Sequence, residues 1–153
     1  MKYLLVLCVC ILSLYGSKVY KKGEVVVDTS NKLVWQDTKD NIMLRISQED
    51  AVQYCEDLVF SGLKDWRLPS VEEYKTIIDK TRPDENMIKK IFYYNLPDNY
   101  WASDRTWIRN FGRYGYYIFF KSGTAYYQNR TYKKFVRCVH AHIGASIRKI
   151  NFL

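Results

Sequence analysis

Cys55 and Cys138 constrain the fold of this chain most, because a bond between them would tie its middle to its end. The other two cysteines, Cys8 and Cys10, lie inside an N-terminal apolar run. If that run directs export, the remaining pair reaches an oxidising compartment, where two cysteines indicate one disulfide. The alternative is a pair of free, buried thiols, since an unpaired cysteine packs as a small apolar side chain.

The N-terminal run has the character of a signal peptide. Lys2 gives a positive start, residues 3–15 are almost wholly apolar, and Gly16 and Ser17 supply the small residues that a cleavage site needs. The run is shorter than the roughly 20 residues that cross a bilayer as a helix. We therefore predict a signal peptide at residues 1–17, export to the periplasm or cell surface, and no stable membrane span after cleavage. The alternative is an uncleaved N-terminal anchor.

The composition indicates one ordinary domain with a basic surface. The chain has 153 residues, of which 48% are apolar, so it can bury a normal core. It has 24 lysines and arginines against 16 acidic residues, and the resulting net charge of +8 attracts anionic partners. The alternative is that this charge serves solubility alone. Export argues against nucleic acid, which leaves anionic polysaccharide or an envelope protein as candidate partners.

The order of patterns along the chain predicts an α+β domain. Two short strands at 25–27 and 33–35 form a hairpin. Ser47 and Ser70 each begin a predicted helix with a capping-box pattern; the first helix ends at Gly62 and the second before Arg82. Five predicted strands follow, at residues 100–103, 106–109, 114–121, 124–128 and 134–140, and the third and fourth form a hairpin.

Four segments then show a resemblance to a known family. They are NKLVWQD at 31–37, DWRLPS at 65–70, YWAS at 100–103 and VRCV at 136–139. In this order they resemble the bacterial Lcl C-terminal domain family, a domain of unknown function. The resemblance covers residues 25–140 and leaves a basic tail at 141–153. One departure is His140, which stands where the family usually has a closing arginine.

The resemblance implies a fold and a set of structural residues. The family is similar in fold to C-type lectins and to the formylglycine-generating enzyme superfamily, which implies two helices, a mixed and mostly antiparallel sheet, and a bridge between Cys55 and Cys138. Its namesake belongs to a surface adhesin that binds sulfated glycans. In the DWRLPS segment we expect Asp65 to cap backbone amides or pair with Arg67, and Ser70 to cap the second helix. Other residues with expected structural roles are Trp66, Leu68, Pro69 and Trp101.

Residues that could support catalysis or hold a metal are few. His140 and His142 are the only histidines, no carboxylate lies near them in sequence, and the nearby Cys138 is assigned to the disulfide, so we predict surface histidines and no metal. The calcium-binding motifs of lectins are absent from the sequence. Copper oxidase chemistry, which the superfamily suggests, needs two thiols that the predicted disulfide would occupy. We predict no cofactor and no catalytic residue.

The late strands offer a basic and aromatic surface. Tyrosine and tryptophan rings stack on sugar rings, and arginine pairs with sulfate or carboxylate groups. The predicted ligand-binding residues are Arg105, Trp107, Arg109, Arg113, Tyr114, Tyr126, Tyr127 and Arg130, with Tyr116, Tyr117, Tyr132, Lys133 and Lys134 nearby. The alternative is that alternate side chains of these strands fill the core. We therefore predict an exported, non-catalytic binding module whose candidate ligand is an anionic or sulfated glycan. The alternative is a protein-interaction or structural component of the envelope. An oxidase of the formylglycine-generating type is the third hypothesis.

Overall fold

The computed structural model of the protein describes residues 18–82, 85–106 and 112–141. The predicted signal peptide at 1–17, Trp107, Arg109 and the tail from His142 onward lie outside the described residues. In chain order, the elements are β1 (Val19–Lys22), β2 (Val25–Asp28), β3 (Leu33–Gln36), α1 (Asp40–Met43), β4 (Arg45–Ile46), α2 (Gln48–Asp57), α3 (Val71–Lys75), β5 (Asn99–Thr106), β6 (Tyr114–Phe119), β7 (Thr124–Asn129), β8 (Lys134–Phe135) and β9 (Val139–Ala141).

The strands form two sheets. The first has the order β1-β2-β3-β9 and is antiparallel, so it joins strands from both ends of the described chain. The second has the order β4-β8-β5-β6-β7, and its neighbours are antiparallel except β5 and β8. The predicted α+β class with mostly antiparallel pairing is confirmed. The sequence did not reveal β1, the short helix α1 or the division into two sheets.

The disulfide between Cys55 and Cys138 is confirmed. The two sulfurs are 2.06 Å apart, and both residues are fully buried. The bond ties α2 to the segment between β8 and β9, within a cluster that also contains Trp66 and Trp101. A second cluster is built around four large buried rings, those of Trp35, Tyr74, Tyr100 and Phe120. Each fully buried large side chain contributes roughly 1.5–3 kcal/mol.

The helices begin where the sequence predicts and end earlier. The side chains of Ser47 and Ser70 accept the expected capping hydrogen bonds, but α2 ends at Asp57 and α3 at Lys75. α2 ends before the predicted Gly62 because Phe60 lies outside the helix and pairs with Leu63 in a tight turn.

The second helix ends early for a related reason. Beyond α3, Ile78 forms a β-bridge with Ile88, and the backbone amide of Lys89 donates a hydrogen bond to the Ile77 carbonyl. The chain therefore pairs with a later segment instead of continuing the helix. Such tertiary contacts override local helix propensity.

The predicted strand at 134–140 is wrong, because the chain changes sheets there. β8 belongs to the second sheet and β9 to the first. Between them, the backbone bonds to side chains: the Asn41 amide donates to the Val136 carbonyl, and the Cys138 amide donates to Gln36 Oε1. The predicted break between the strands at 100–103 and 106–109 is absent, since β5 is continuous from Asn99 to Thr106; residues 107–109 lie outside the described residues.

A buried ion pair lies where the two sheets meet. Arg137 and Asp37 are both fully buried, and Arg137 Nη1 lies 3.4 Å from Asp37 Oδ1. Asp37 also accepts hydrogen bonds from the Lys21 side chain and from the backbone amides of Tyr93 and Tyr94. Burial by itself raises the pKa of Asp37. The charge of Arg137 and these hydrogen bonds outweigh burial and hold the pKa below its ordinary value of 3.8.

Asp37→Asn should lower the free energy of unfolding at neutral pH by roughly 3–5 kcal/mol, because Arg137 is left buried without an opposing charge. Since the folded-state pKa of Asp37 is lowered, its stabilisation is present above about pH 4 and is lost as the pH falls toward the folded value. Denaturant titrations of both proteins should therefore show a difference in stability that narrows on acidification. A difference that stays constant with pH would contradict this account. Glu56→Gln, at an exposed position, is the control.

Candidate functional site

The hairpin of β6 and β7 carries most of the predicted binding residues that the structure describes. It lies at one edge of the second sheet, and its strands pair without a register shift from Tyr114 opposite Asn129 to Phe119 opposite Thr124. Side chains along a strand alternate between the two faces of a sheet. This alternation separates the residues that the sequence analysis placed on one surface.

One side of the hairpin is a tyrosine face, which carries Tyr114, Tyr116, Ile118, Ala125 and Tyr127. The ring of Tyr127 meets the rings of Tyr114 and Tyr116 edge to face, at centroid distances of 6.1 and 5.9 Å. Tyr127 is 50% exposed, whereas Ile118 is fully buried. The face therefore runs from the core to solvent, and its exposed end is aromatic and uncharged.

The other side is an arginine face, which carries Arg113, Gly115, Tyr117, Tyr126, Gln128 and Arg130. The Arg130 amide donates to the Arg113 carbonyl at 2.9 Å, so these two residues extend the pairing beyond the strand ends. Their side chains line a pocket of about 330 Å³ together with Ser47, Glu49, Asn129 and Thr131. The pocket thus lies where the hairpin meets the start of α2.

Gln48, a buried residue of α2, fixes one of these arginines. Its Oε1 accepts a hydrogen bond of 2.7 Å from Arg130 Nε, and its backbone amide donates to the Arg130 carbonyl at 2.9 Å. Its Nε2 donates to the carbonyls of Ala102 and Asp104 on β5, at 2.7 and 3.1 Å. Arg130 is therefore held at both its backbone and its side chain before any ligand binds.

The pocket is only weakly neutralised by its own acidic residue. Glu49 Oε2 lies 3.9 Å from Arg130 Nη2, and the Glu49 side chain is 86% exposed. An exposed pair at that distance contributes little, since water screens it. Arg113 is exposed. The Arg113 guanidinium therefore remains open to an anion, whereas Arg130, whose side chain is 20% exposed and whose Nε is bonded to Gln48, can offer only its terminal nitrogens.

The structure divides the predicted binding residues between the two faces. Arg113 and Arg130 lie together, and Arg105 is paired with Gly115 and so belongs to the same side. Tyr126 also lies on the arginine face, where its ring packs 5.9 Å from that of Tyr117. Tyr114 and Tyr127 lie on the opposite face, while Trp107 and Arg109 are outside the described residues.

Lys134 is a correction to the predicted surface, because it is only 4% exposed. Its Nζ lies 3.8 Å from the centroid of the Tyr117 ring and 5.1 Å from that of Trp101. Burial and the nearby charge of Arg45 lower the pKa of Lys134 to about 8. Strand alternation alone could not reveal this, because β8 has only two residues and is followed by the irregular segment 136–138.

The DWRLPS segment packs into the core and caps a helix, and one expected contact in it is corrected. Trp66, Leu68 and Pro69 are buried, and Ser70 forms a full capping box with Glu73. Arg67 pairs with Glu73 through two hydrogen bonds, at 2.7 and 2.5 Å, rather than with Asp65. The expected pair fails because Asp65 has a positive φ of 57°, whereas Glu73 projects from the first turn of α3 toward Arg67.

Neither a metal site nor a thiolate site is evident in the described residues. Among them, no three histidine, cysteine or acidic side chains are grouped to hold a metal ion. His140 Nδ1 lies 2.7 Å from the Lys64 carbonyl, and the ring packs on Trp66. The two cysteines that copper chemistry would use are bonded to each other, so they do not fit a copper ion. His140 is therefore half-buried, with its Nε2 atom buried, and is not the surface histidine that was predicted; His142 lies outside the described residues.

Gly115→Ala tests the role of Gln48. A Cβ at this position would lie 2.3–2.4 Å from the end of the Gln48 side chain, which would have to leave its hydrogen bonds to Arg130 and β5. The expected loss in the free energy of unfolding is about 2 kcal/mol, since buried groups are left unpaired. A double-mutant cycle with Gln48→Ala is the matched control, because the substitution at Gly115 should cost much less once the side chain above it is removed. Equal costs in both backgrounds would contradict the assigned contact.

Comparison with known proteins agrees with the pattern of segments. None of the helices in the described part of the chain has the length and apolarity that a membrane crossing requires. No curated protein sequence matches this chain. Residues 24–140 match the family model of the Lcl C-terminal domain, and this range holds the NKLVWQD, DWRLPS, YWAS and VRCV segments. The chain therefore belongs to the Lcl C-terminal domain family.

Proposed function

We propose that this chain is an exported, non-catalytic binding module of the bacterial envelope, and that its pocket between Arg113 and Arg130 takes an anionic group of a glycan. The observation that carries the proposal is that Gln48 holds Arg130 in place at the wall of this pocket. A side chain that is already ordered loses less entropy when a ligand binds. The ligand would be a sulfate or carboxylate group, which matches the planar guanidinium fork.

The charge balance supports the same class of ligand. The chain has a net charge of +8, and a basic protein attracts anionic polymers. Arg105 lies on the same face of the sheet as Arg113 and Arg130, so a polymer that leaves the pocket along β5 meets a further cation. Binding of this kind is salt-dependent, because each contact releases a counterion.

Export is supported by the disulfide and by the N-terminal sequence. Structural disulfides persist in oxidising compartments and are rare in the cytosol. The apolar run at residues 3–15 has the length of a signal peptide. The proposed location is the periplasm or the cell surface.

A protein partner is the second candidate, and the tyrosine face favours it. Tyr127 is 50% exposed and packs with Tyr114 and Tyr116 into an uncharged aromatic surface. Tyrosine is enriched at protein interfaces, because its ring is apolar and its hydroxyl group is polar. An interface of this kind would be less sensitive to salt than the arginine pocket.

Arg113→Gln tests the anion site. It should lower the salt concentration at which the protein elutes from a heparin-type resin, and it should reduce the salt dependence of binding by about one counterion. Arg113 is exposed, so the variant should fold normally. The measurement is elution and equilibrium binding over a series of salt concentrations.

Lys121→Gln is the matched control, since it removes one exposed charge at the turn end of the same hairpin. It should leave elution near that of the wild-type protein. If both variants elute alike, then net charge rather than the pocket drives retention, and the proposed site is wrong. No retention of the wild-type protein at low salt would also reject the glycan proposal and favour the protein partner.

A further inference from the structure

The outer edge of β7 is the least protected strand edge among the described residues. The first sheet ends in β1, where two of four residues are lysines, and in β9, which has three residues. The second sheet ends on one side in β4, a two-residue strand with an arginine. Lysines and short strands are the usual devices that keep sheet edges from pairing with other chains.

β7 has none of these devices. Its sequence, TAYYQN, is six residues long with no charge and no proline, and it pairs with β6 without a bulge. Within the residues that the structure describes, β6 is its one neighbour in the sheet. An exposed, regular edge of this length is a template for a further strand.

The hydrogen-bond pattern shows which backbone groups are free to pair. Arg130 and Arg113 form a hydrogen-bonded pair, and such pairs recur at every second residue of an antiparallel ladder. The backbone groups of Gln128 and Tyr126 therefore point toward β6. Those of Ala125 and Tyr127 point away from it, toward the open edge.

We infer that β7 pairs antiparallel with β7 of a second copy of this chain, around a two-fold axis at Tyr126. In this register the outward backbone groups of Ala125 face those of Tyr127 in the second copy. A two-fold interface uses the same patch on both copies, so the edge must be self-complementary. β7 carries no charged side chain, so two copies of this edge do not repel each other, although the whole chain has a net charge of +8.

The side chains fit this register better than a neighbouring one. On the tyrosine face, the large Tyr127 of one copy lies beside the small Ala125 of the other. Ala125 also borders a cavity of about 150 Å³, lined in addition by Val71, Asp104 and Tyr116, which that ring would cover. An axis at Tyr127 would instead place two Tyr127 side chains directly opposite each other.

The charged ends of the hairpin are also compatible with this axis. Arg130 of one copy falls opposite Ser122 of the other, and Lys121 falls opposite Thr131, so no two cations meet. On the arginine face, the two Tyr126 side chains lie opposite each other as an aromatic cross-strand pair. Asn129, Arg130 and Thr131 of the arginine pocket lie at the end of the paired edge, but Arg113 precedes β6 and lies away from it. Substitution of Arg113 therefore separates anion binding from dimer formation.

A proline at position 127 tests the backbone contact. The Tyr127 amide points away from β6, so Tyr127→Pro removes a donor from the open edge while the β6 ladder is kept. Tyr127→Ala is the matched control, because it removes the same ring and keeps the amide. By sedimentation of the full chain over micromolar to millimolar concentrations, we expect the wild type and Tyr127→Ala to form dimers. The dissociation constant of Tyr127→Pro should be higher by on the order of 100-fold.

A cysteine cross-link tests the register without relying on the proline variant. Tyr126→Cys should form a disulfide-linked dimer under mild oxidation, because residues opposite each other in a non-hydrogen-bonded pair have close Cβ atoms. Gln128→Cys should not, because its counterpart lies four residues away along the strand, and the wild-type chain controls for its own cysteines. Arg113→Gln should still dimerise, which separates this inference from the anion site. A wild-type monomer at all concentrations, equal behaviour of Tyr127→Pro and Tyr127→Ala, or no Tyr126→Cys cross-link would overturn the inference.

Discussion

The buried ion pair of Arg137 and Asp37 is the interaction on which the rest of the structure depends. Removing two charges from water is costly, and their attraction offsets that cost only when hydrogen bonds satisfy the remaining atoms. Here the terminal nitrogens of Arg137 donate to the carbonyls of Gln36 and Tyr94 and to Asn95 Oδ1, and its Cζ lies 4.8 Å from the centroid of the Phe92 ring. Its buried Nε has no hydrogen-bond partner among the described residues. The pair thus connects the NKLVWQD segment, the VRCV segment and the long loop before β5.

This connection explains why the last part of the domain is irregular. Between β8 and β9, the backbone forms hydrogen bonds with the side chains of Gln36 and Asn41. The chain therefore leaves one sheet before it joins the other. Cys138 follows Arg137 directly and carries the bond to Cys55. The charge pair and the disulfide are therefore adjacent constraints on the same short segment.

The parts of the fold that the sequence predicted are those set by local chemistry. The serine caps at Ser47 and Ser70 and the hairpin at Ser122 and Gly123 depend on residues within a few positions of each other. The end of α3, the sheet change after Phe135 and the burial of Lys134 depend on distant partners. No local pattern records those partners, because Ile78 and Arg137 each make contacts that only the assembled fold brings together.

The candidate site shows the same division. The sequence identified the arginines and tyrosines of the late strands, and strand alternation assigned them to faces once the pairing of β6 and β7 was known. It gave no sign of Gln48, which lies far from the hairpin in sequence. Only the structure shows that this glutamine is buried, and a buried side-chain amide requires polar partners across the core.

The fold and the candidate pocket are linked through α2. The bond from Cys55 to Cys138 fixes α2 against the segment that carries Arg137, and Gln48 at the start of α2 fixes Arg130. Because Gln48 also bonds to β5, and Gly115 leaves room for it on β6, its position is set by three elements at once. The position of Arg130 in the pocket is therefore set by buried contacts of Gln48 and not by the turn at residues 129–131 alone. A ligand would meet a preformed wall on the side of Arg130 and an adjustable side chain on the side of Arg113.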